Sequence, residues 1–288
     1  GGLYGVGLYG VGKTFTSVFK YPRIWSGGVY GDDFIGTAGG QTGVYIWENA
    51  TATAPTALTN APTAVNWVFI AGNIVVTLGQ GGVGNRIKTS DAGDATIWTI
   101  SAASYAYSDD IEGAGTFISQ ATSKAINLLF TENEVYTFEF KDKPDIWETK
   151  LLFSSDGLIA PNARIELEEG VAWMGQGDFR IYDGASVSSI PNNTCRDYIY
   201  ENLNYEATWK SFCRHDPVRK QVFFYFPLGA ATEPDSYMIW NYKEGHCTLG
   251  TEDMTAAEQN VLQIQSPYTA YSISTSVDGS IYRRDIGD

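Results

Sequence analysis

Cysteine is scarce in this chain: Cys195, Cys213 and Cys247 are the only three among 288 residues. An odd, sparse set supplies no disulfide framework and points to synthesis in a reducing compartment. Histidine is scarcer still, with only His215 and His246. Each has a cysteine nearby, but a structural zinc needs four ligands at tighter spacing, so no metal is expected. No serine stands in a nucleophile-elbow context, which leaves a histidine-based triad without support. Positive charge is in deficit, with 19 Lys and Arg against 33 Asp and Glu and a formal net charge of −14. Such a surface repels phosphate and argues against a basic nucleic-acid-binding face, although solubility alone is reason enough for it. No apolar run reaches the roughly 20 residues of a membrane-spanning helix, and no secretory signal is legible. The chain does not begin with Met, so a further N-terminal part of the gene product is expected.

What is abundant is glycine (31 residues) and aromatic side chains (14%), in a chain that is 43% apolar and only 18% charged. Gly-punctuated turns between aromatic-rich segments favour an all-β architecture. An isoleucine followed by a large aromatic recurs along the chain, at the ends of strand-like segments. It reads Ile46-Trp47, Ile97-Trp98, Ile146-Trp147, Ile181-Tyr182, Ile239-Trp240 and Ile281-Tyr282, a mean spacing of 47 residues. With two off-period pairs, Ile24-Trp25 and Ile199-Tyr200, there are eight, where composition alone yields about two. A period near 47 matches one four-stranded propeller blade. The expected fold is therefore a single-domain, irregular β-propeller of about six blades over residues 1–288.

The modules follow this period. Residues 2–12 hold two copies of a five-residue Gly-Leu-Tyr-Gly-Val unit, and 14–19 alternate as a half-buried strand does. Val44 to Trp47 ends the first module, and the Ala/Thr/Pro stretch 50–64 reads as an aperiodic surface connection. The second has strands at 65–70 and 73–78 around the Gly72-Asn73 turn. The third has Gly115–Gln120, Ala125–Thr131 and Glu134–Phe140. The fourth has Ala163–Leu167, Val171–Met174, Phe179–Tyr182 and Val187–Ile190. The fifth has Thr208–Arg214, Gln221–Phe226, Ser236–Asn241 and His246–Leu249. The last has only Ala270–Thr275 and Ser280–Arg284, which suggests ring closure by the N-terminal strand. Cys195, Ile199 and Leu203 recur at helical spacing after the capping residues Asn192 to Thr194, so a short helix is expected near 194–206. Packing over a blade edge explains such a helix. Its tyrosines Tyr198, Tyr200 and Tyr205 are also candidates for a subunit interface.

Two motifs carry chemistry elsewhere. Gly7-Leu-Tyr-Gly-Val-Gly12-Lys13-Thr14 matches the P-loop pattern in full, but a P-loop also needs a buried strand before it and a helix after it. Here the flanks are the Gly-rich repeat and a β-branched, aromatic stretch stopped by Pro22. Gly7, Gly12, Lys13 and Thr14 are read as a coincidental match, and no cofactor is expected. Thr89-Ser-Asp91-Ala-Gly93 before Trp98 resembles the Asp-box of sialidase-type propellers, with four residues where that motif has two. The box is a structural turn, and no arginine cluster suited to gripping a carboxylate accompanies it. The paired acids Asp32-Asp33, Asp109-Asp110 and Glu168-Glu169 are sequence neighbours. On a strand they point to opposite faces, so each reads as a solvated turn and not as an acid–base pair.

The stretch Phe153-Ser-Ser-Asp-Gly157-Leu-Ile-Ala-Pro161-Asn-Ala-Arg-Ile165 continues into Val171-Ala-Trp-Met-Gly-Gln-Gly-Asp-Phe-Arg-Ile-Tyr-Asp-Gly184 and Ile190. It resembles the tail hub or nozzle proteins of short-tailed bacteriophages. There an apolar–Trp strand is followed by a Gly turn, a strand ending in Tyr-Asp-Gly, an isoleucine and a short helix. Val222–Phe226 with Met238 to Tyr242, and Leu3-Tyr4 and Leu8-Tyr9, extend the likeness to about two thirds of the chain. The resemblance implies a propeller-containing virion structural protein without catalytic residues, assembled in the host cytoplasm. It implies a ring of six copies below the portal, touching the portal or adaptor and other tail proteins, with DNA passing through the lumen unbound. Longer members of that family carry a further platform domain that these residues do not show. The acidic charge suits a conduit that must not hold DNA. The alternative is a carbohydrate-binding or sialidase-like propeller, for which exposed tryptophans around a central funnel are expected. Lys13→Ala is expected to leave nucleotide affinity unchanged in an equilibrium titration; a loss of affinity would restore the P-loop reading.

Overall fold

The computed structural model describes residues 24–49, 54–191, 193–257 and 273–283. They form six small antiparallel sheets arranged in a ring, a six-bladed β-propeller. Blade 1 is β1 (Ser26–Tyr30), β2 (Asp33–Thr37), β3 (Tyr45–Trp47) and β4 (Thr56–Ala57). Blade 2 is β5 (Trp67–Ala71), β6 (Ile74–Leu78), β7 (Arg86–Thr89) and β8 (Tyr107–Asp110). Blade 3 is β9 (Ser119–Ser123), β10 (Ile126–Phe130), β11 (Glu134–Asp142) and β12 (Ile146–Ser154). Blade 4 is β13 (Arg164–Glu166), β14 (Val171–Met174), β15 (Phe179–Tyr182) and β16 (Val187–Ser189). The helix α1 (Asn193–Asn202) leads into blade 5, which is β17 (Phe212–Asp216), β18 (Gln221–Phe226), β19 (Ser236–Asn241) and β20 (His246–Thr251). Blade 6 has three strands among the described residues, β21 (Ala256–Ala257), β22 (Ile273–Thr275) and β23 (Ile281–Arg283).

Each blade is an up-and-down meander, and the first strands β1, β5, β9, β13, β17 and β21 lie beside one another in succession around the axis. Four strands return the chain to the end at which it entered. The blade-to-blade connections and the second-to-third-strand loops therefore gather at one end, the mouth of the ring.

The Ile–aromatic repeat works between blades. Successive strand residues point to opposite faces, and in a propeller both faces of a blade meet a neighbour. In blade 4, Tyr182 shares a face with Val171 and Trp173, and the Trp173 ring meets Phe130 of blade 3 edge-on at 5.4 Å. Ile181 lies on the opposite face, toward blade 5, where it and Trp240 line one cleft. In blade 5, Ile239 pairs across with Phe223, which packs on the small cluster of Phe212, Tyr225 and Met254 before blade 6. Tyr282 of blade 6 lies in register with Ser274 and Ala257, and Ala257 packs on that same cluster. In each case the aromatic reaches back to the preceding blade and the isoleucine forward to the next. Ile46 of blade 1 likewise faces blade 2.

Continuous apolar clusters fill these interfaces. Val65, Val68 and Val75 meet Ile35 and Val44 between blades 1 and 2. Trp67, Phe69 and Leu78 meet Leu129, Phe138 and Trp147 between blades 2 and 3. One large cluster runs through blades 3, 4 and 5 around Phe130, Trp173, Phe179 and Phe224.

Several expectations need correction. Two of the six periodic pairs clearly depart from the expected strand ends. Ile146-Trp147 opens β12, and Ile97-Trp98 lies on no strand: buried Trp98 anchors the long loop between β7 and β8. The stretch 50–64 is not wholly aperiodic, since Thr56–Ala57 adds β4 at the blade edge. Gly115–Gln120 was expected as a strand, but β9 begins at Ser119 because Gly115 to Ile118 bend into the mouth. Thr208–Lys210 is a single 3-10 turn that delivers the chain to β17, so the expected strand at Thr208 starts at Phe212. The helix ends at Asn202, short of 206, while Ile199 and Leu203 are buried as their spacing requires. The five-residue repeat, the strand at 14–19 and ring closure through it lie outside the described residues.

Trp173 is fully buried between blades 3 and 4. Trp173→Ala should lower unfolding free energy by about 3–5 kcal/mol in a denaturant titration. Its indole N–H has no partner, so Trp173→Phe should cost much less; equal losses would contradict a packing role.

Candidate functional site

The face of blade 1 turned away from blade 2 is largely exposed. Cross-strand register places Val29, Phe34 and Trp47 in one row and Gly27, Gly36, Tyr45 and Ala57 in the next, with Trp25 extending the same side. Phe34 lies over Gly27 and Gly36: a Cβ at either glycine would come within 2.9 Å of its ring. The two glycines thus let an aromatic ring lie flat on the sheet. Trp25 is 65% exposed, Val29 68% and Trp47 53%, and no residue of this face carries a charge. Contiguous exposed apolar surface of this kind marks an interaction site. At the other end of the ring Ile281, whose side chain points forward, is 73% exposed.

The mouth holds a cavity of about 600 Å³ spanning the loops of blades 1 to 3. Its floor includes Trp67, Phe117 and Pro161, and its walls include Gly40, Gly82, Gly113, Asn133 and Glu134. Gln41 braces two of those loops. Its amide nitrogen donates to Asn66 Oδ1 at 2.8 Å and to the Gly79 carbonyl at 2.7 Å, and its oxygen accepts from Gly82 N–H at 2.7 Å. Glu134 accepts from the Tyr136 hydroxyl at 2.8 Å, and burial followed by that carboxylate pushes the phenol up to about 12. A second depression of about 550 Å³ continues across the mouth past Ile24 to Asn162, Trp209, Lys210 and Glu233. Trp67 is only 5% exposed, and Trp209 is half-buried with the Lys210 ammonium 5.1 Å from its ring. The open tryptophan faces expected of a sugar funnel are not found at the mouth among the described residues.

The helix α1 sits on the mouth side of blade 4, and its tyrosines part company. Tyr198 and Tyr205 are exposed. Tyr200 turns inward: its hydroxyl lies 2.9 Å from the Gly175 carbonyl and 3.1 Å from that of Asp178, and its ring packs near Phe179. It is tied into the fold and does not face a partner, because helical spacing puts it on the side that Ile199 and Leu203 bury. Beneath it Arg180 donates to buried Asp156 at 2.7 Å, and Gly177 N–H donates to the same carboxylate at 3.0 Å. This network locks the blade 4 loops.

The motif around Asp91 is a structural turn. Asp91 accepts from the N–H groups of Ala92 and Tyr105, Asp94 from Thr96, and Trp98 donates to the Ala95 carbonyl at 2.7 Å. Gly7, Gly12, Lys13 and Thr14 lie outside the described residues. Among the described residues no group of three or more His, Cys, Asp or Glu could hold a metal, and no helix is long and apolar enough to cross a membrane. Burial pushes the Cys213 thiol well above its usual range, and burial together with Cys195 pushes Cys247 to about 12. Such thiols stay protonated and unreactive near neutrality.

His215 is buried on β17 with Nε2 3.1 Å from the Tyr242 hydroxyl. Desolvation pulls its pKa down, against the raising influence of Asp216 and Glu169. A histidine depressed in the folded state takes up its proton more readily when unfolded, so stability falls as pH drops through the ordinary value near 6.5. Burial alone would raise Asp216, but the Arg219 amide and guanidinium outweigh it and hold this carboxyl below its usual range. Asp216 therefore titrates below this window. Between pH 7 and 5 the melting temperature should fall, and His215→Gln should flatten that slope; an unchanged slope would place the titration elsewhere.

No family model and no curated protein matches this sequence. Solved structures do. The chain is similar to one in the S. cerevisiae complex of Dbp5 with Nup159, Gle1, IP6 and ADP, with a TM-score of 0.53, 10% identity, and 88% of this chain and 70% of that one covered. It is also similar to the extracellular domain of a one-component system of B. thetaiotaomicron, with a TM-score of 0.51, 9% identity, and coverage of 91% and 32%. At such identities the likeness establishes the propeller fold and nothing about activity.

Proposed function

We propose that this chain is a structural component of the tail of a short-tailed bacteriophage, a hub or nozzle propeller that joins copies of itself in a ring conduit for DNA and catalyses no reaction. The observation that carries this reading is the exposed, uncharged face of blade 1, where four large aromatics and a valine stand open among the described residues. Copies that each carry a net charge of −14 repel one another, so a contact between them favours a patch free of charge and dominated by burial. The resemblance of residues 153–190 to tail hub and nozzle proteins supports the same reading and supplies the virion tail as its place. It also supplies the portal or adaptor as neighbours. A net-negative wall lets DNA slide without holding it, whichever acids line the lumen.

Light scattering with negative-stain imaging, at low and moderate salt, tests the assembly. Rings with a central hole are expected, either from the protein alone or on adding purified portal. Trp47→Glu should weaken the contact about 100-fold, since a buried unpaired carboxylate costs several kcal/mol, and should return the mass to that of a monomer. A strict monomer under every condition, or rings that Trp47→Glu leaves intact, would overturn the reading.

A further inference from the structure

Trp67, Ser119 and Arg164 each open the innermost strand of a blade, β5, β9 and β13 in turn. Three consecutive blades thus bring these side chains to one level beside the axis, just below the mouth. Arg164 reaches back across blade 3. Its Nε donates to Ser119 Oγ at 3.2 Å, and its guanidinium carbon lies 5.9 Å from the centre of the Trp67 ring of blade 2. Ser119 is held in turn by donating to the Pro161 carbonyl at 2.7 Å. Trp67 and Pro161 line the mouth cavity, while Asn162 and Cys213 line the adjoining depression. The guanidinium therefore stands at the floor between the two, recessed but still partly exposed.

This cation has no fixed counter-charge. Among the described residues no carboxylate pairs with it, and only its Nε has a hydrogen-bond partner. Glu166, two residues along the same strand, is engaged by the Thr122 N–H at 2.7 Å. Burial pulls the Arg164 pKa down, with Glu166 and Cys213 acting against it. A guanidinium stays charged even so, and a desolvated charge is unfavourable unless it is paired. Its two terminal nitrogens form a fork that matches the two oxygens of one acid group.

We propose that Arg164 anchors a binding site for a small monocarboxylate with an apolar body. The carboxylate meets the guanidinium fork, and the body lies in the mouth cavity against Trp67, Phe117 and Pro161. A single negative charge fits better than the dianion of phosphate, because Glu132 and Glu134 line the same cavity and Glu166 lies close by. The site is complete within one chain, so it stands or falls independently of ring assembly.

The test is a titration of the full chain with para-fluorobenzoate, followed by fluorine NMR and by melting temperature. Saturable binding that raises the melting temperature is expected. Arg164→Gln should weaken it about 10- to 100-fold, the loss of a charge-assisted hydrogen-bond pair. Glu166→Gln should tighten it, since a repelling charge goes while the amide oxygen still accepts from Thr122. That second variant keeps the proposal testable should Arg164→Gln fail to fold. No saturable binding to the wild type would overturn the proposal, as would equal binding by folded Arg164→Gln or weaker binding by Glu166→Gln. Equal binding of neutral para-fluorobenzamide would show an apolar cavity without an anion site. Displacement by inorganic phosphate at lower concentration than by unlabelled benzoate would replace the carboxylate with phosphate.

Discussion

The structure depends on one repeated contact, the packing of an isoleucine-bearing sheet face onto an aromatic-bearing one. No blade of this size buries enough surface to stand alone, since a three- or four-stranded sheet with two apolar faces needs cover on both. The ring supplies that cover by making every blade the lid of the one before. This is why paired residues of unlike shape recur where a sandwich would need only alternation of apolar and polar. The branched isoleucine fills the narrow space near its own strand. The aromatic spans the gap to the neighbour, and other rings of the same interfaces add edge-on contacts such as Phe130 with Trp173 and Phe179 with Phe224. The mouth loops follow from the same constraint, because radial sheets leave space at the axis that only small residues and backbone can line.

How much of this the sequence disclosed depends on whether local pattern or distant contact decides. Blade 4 was legible strand by strand because its turns, Glu169-Gly170 and Asp183-Gly184, are local chemistry and its faces alternate cleanly. Val171–Met174 and Phe179–Tyr182 stand where they were read. Blades 2 and 3 were legible in part: β5, β6, β10 and β11 stand close to where they were read, but Trp98 is buried by a loop and not by a strand, and spacing alone cannot tell the two apart. The residues just before the inner strands were misassigned for a related reason. Thr116 and Trp209 have strand-like neighbours, but the ring turns them into the mouth.

The candidate site was less legible still. Three tyrosines near α1 looked equivalent in sequence, and only the burial of Ile199 and Leu203 reveals that Tyr200 belongs to the inside. The face of blade 1 escaped attention because its members, Trp25, Val29, Phe34, Tyr45 and Trp47, are scattered over 23 residues and meet only through strand register. A signal existed. Trp25 and Trp47 each follow an isoleucine, and the two pairs bracket this blade in the sequence.

The interfaces around the ring are unequal. Blades 3, 4 and 5 share one continuous core, whereas the described part of blade 6 meets blade 5 at the smaller cluster of Phe212, Tyr225 and Met254, with Phe223, Tyr237 and Ala257 packed on it. Local opening takes the path of least buried surface, so opening is expected to start at the described strands of blade 6 and to reach blades 3, 4 and 5 last. Amide exchange should accordingly grade from fast in β22 to slow in β14 and β18. The same gradient makes blade 6 the most yielding of the described blades and blades 3 to 5 the stiff body against which it is held.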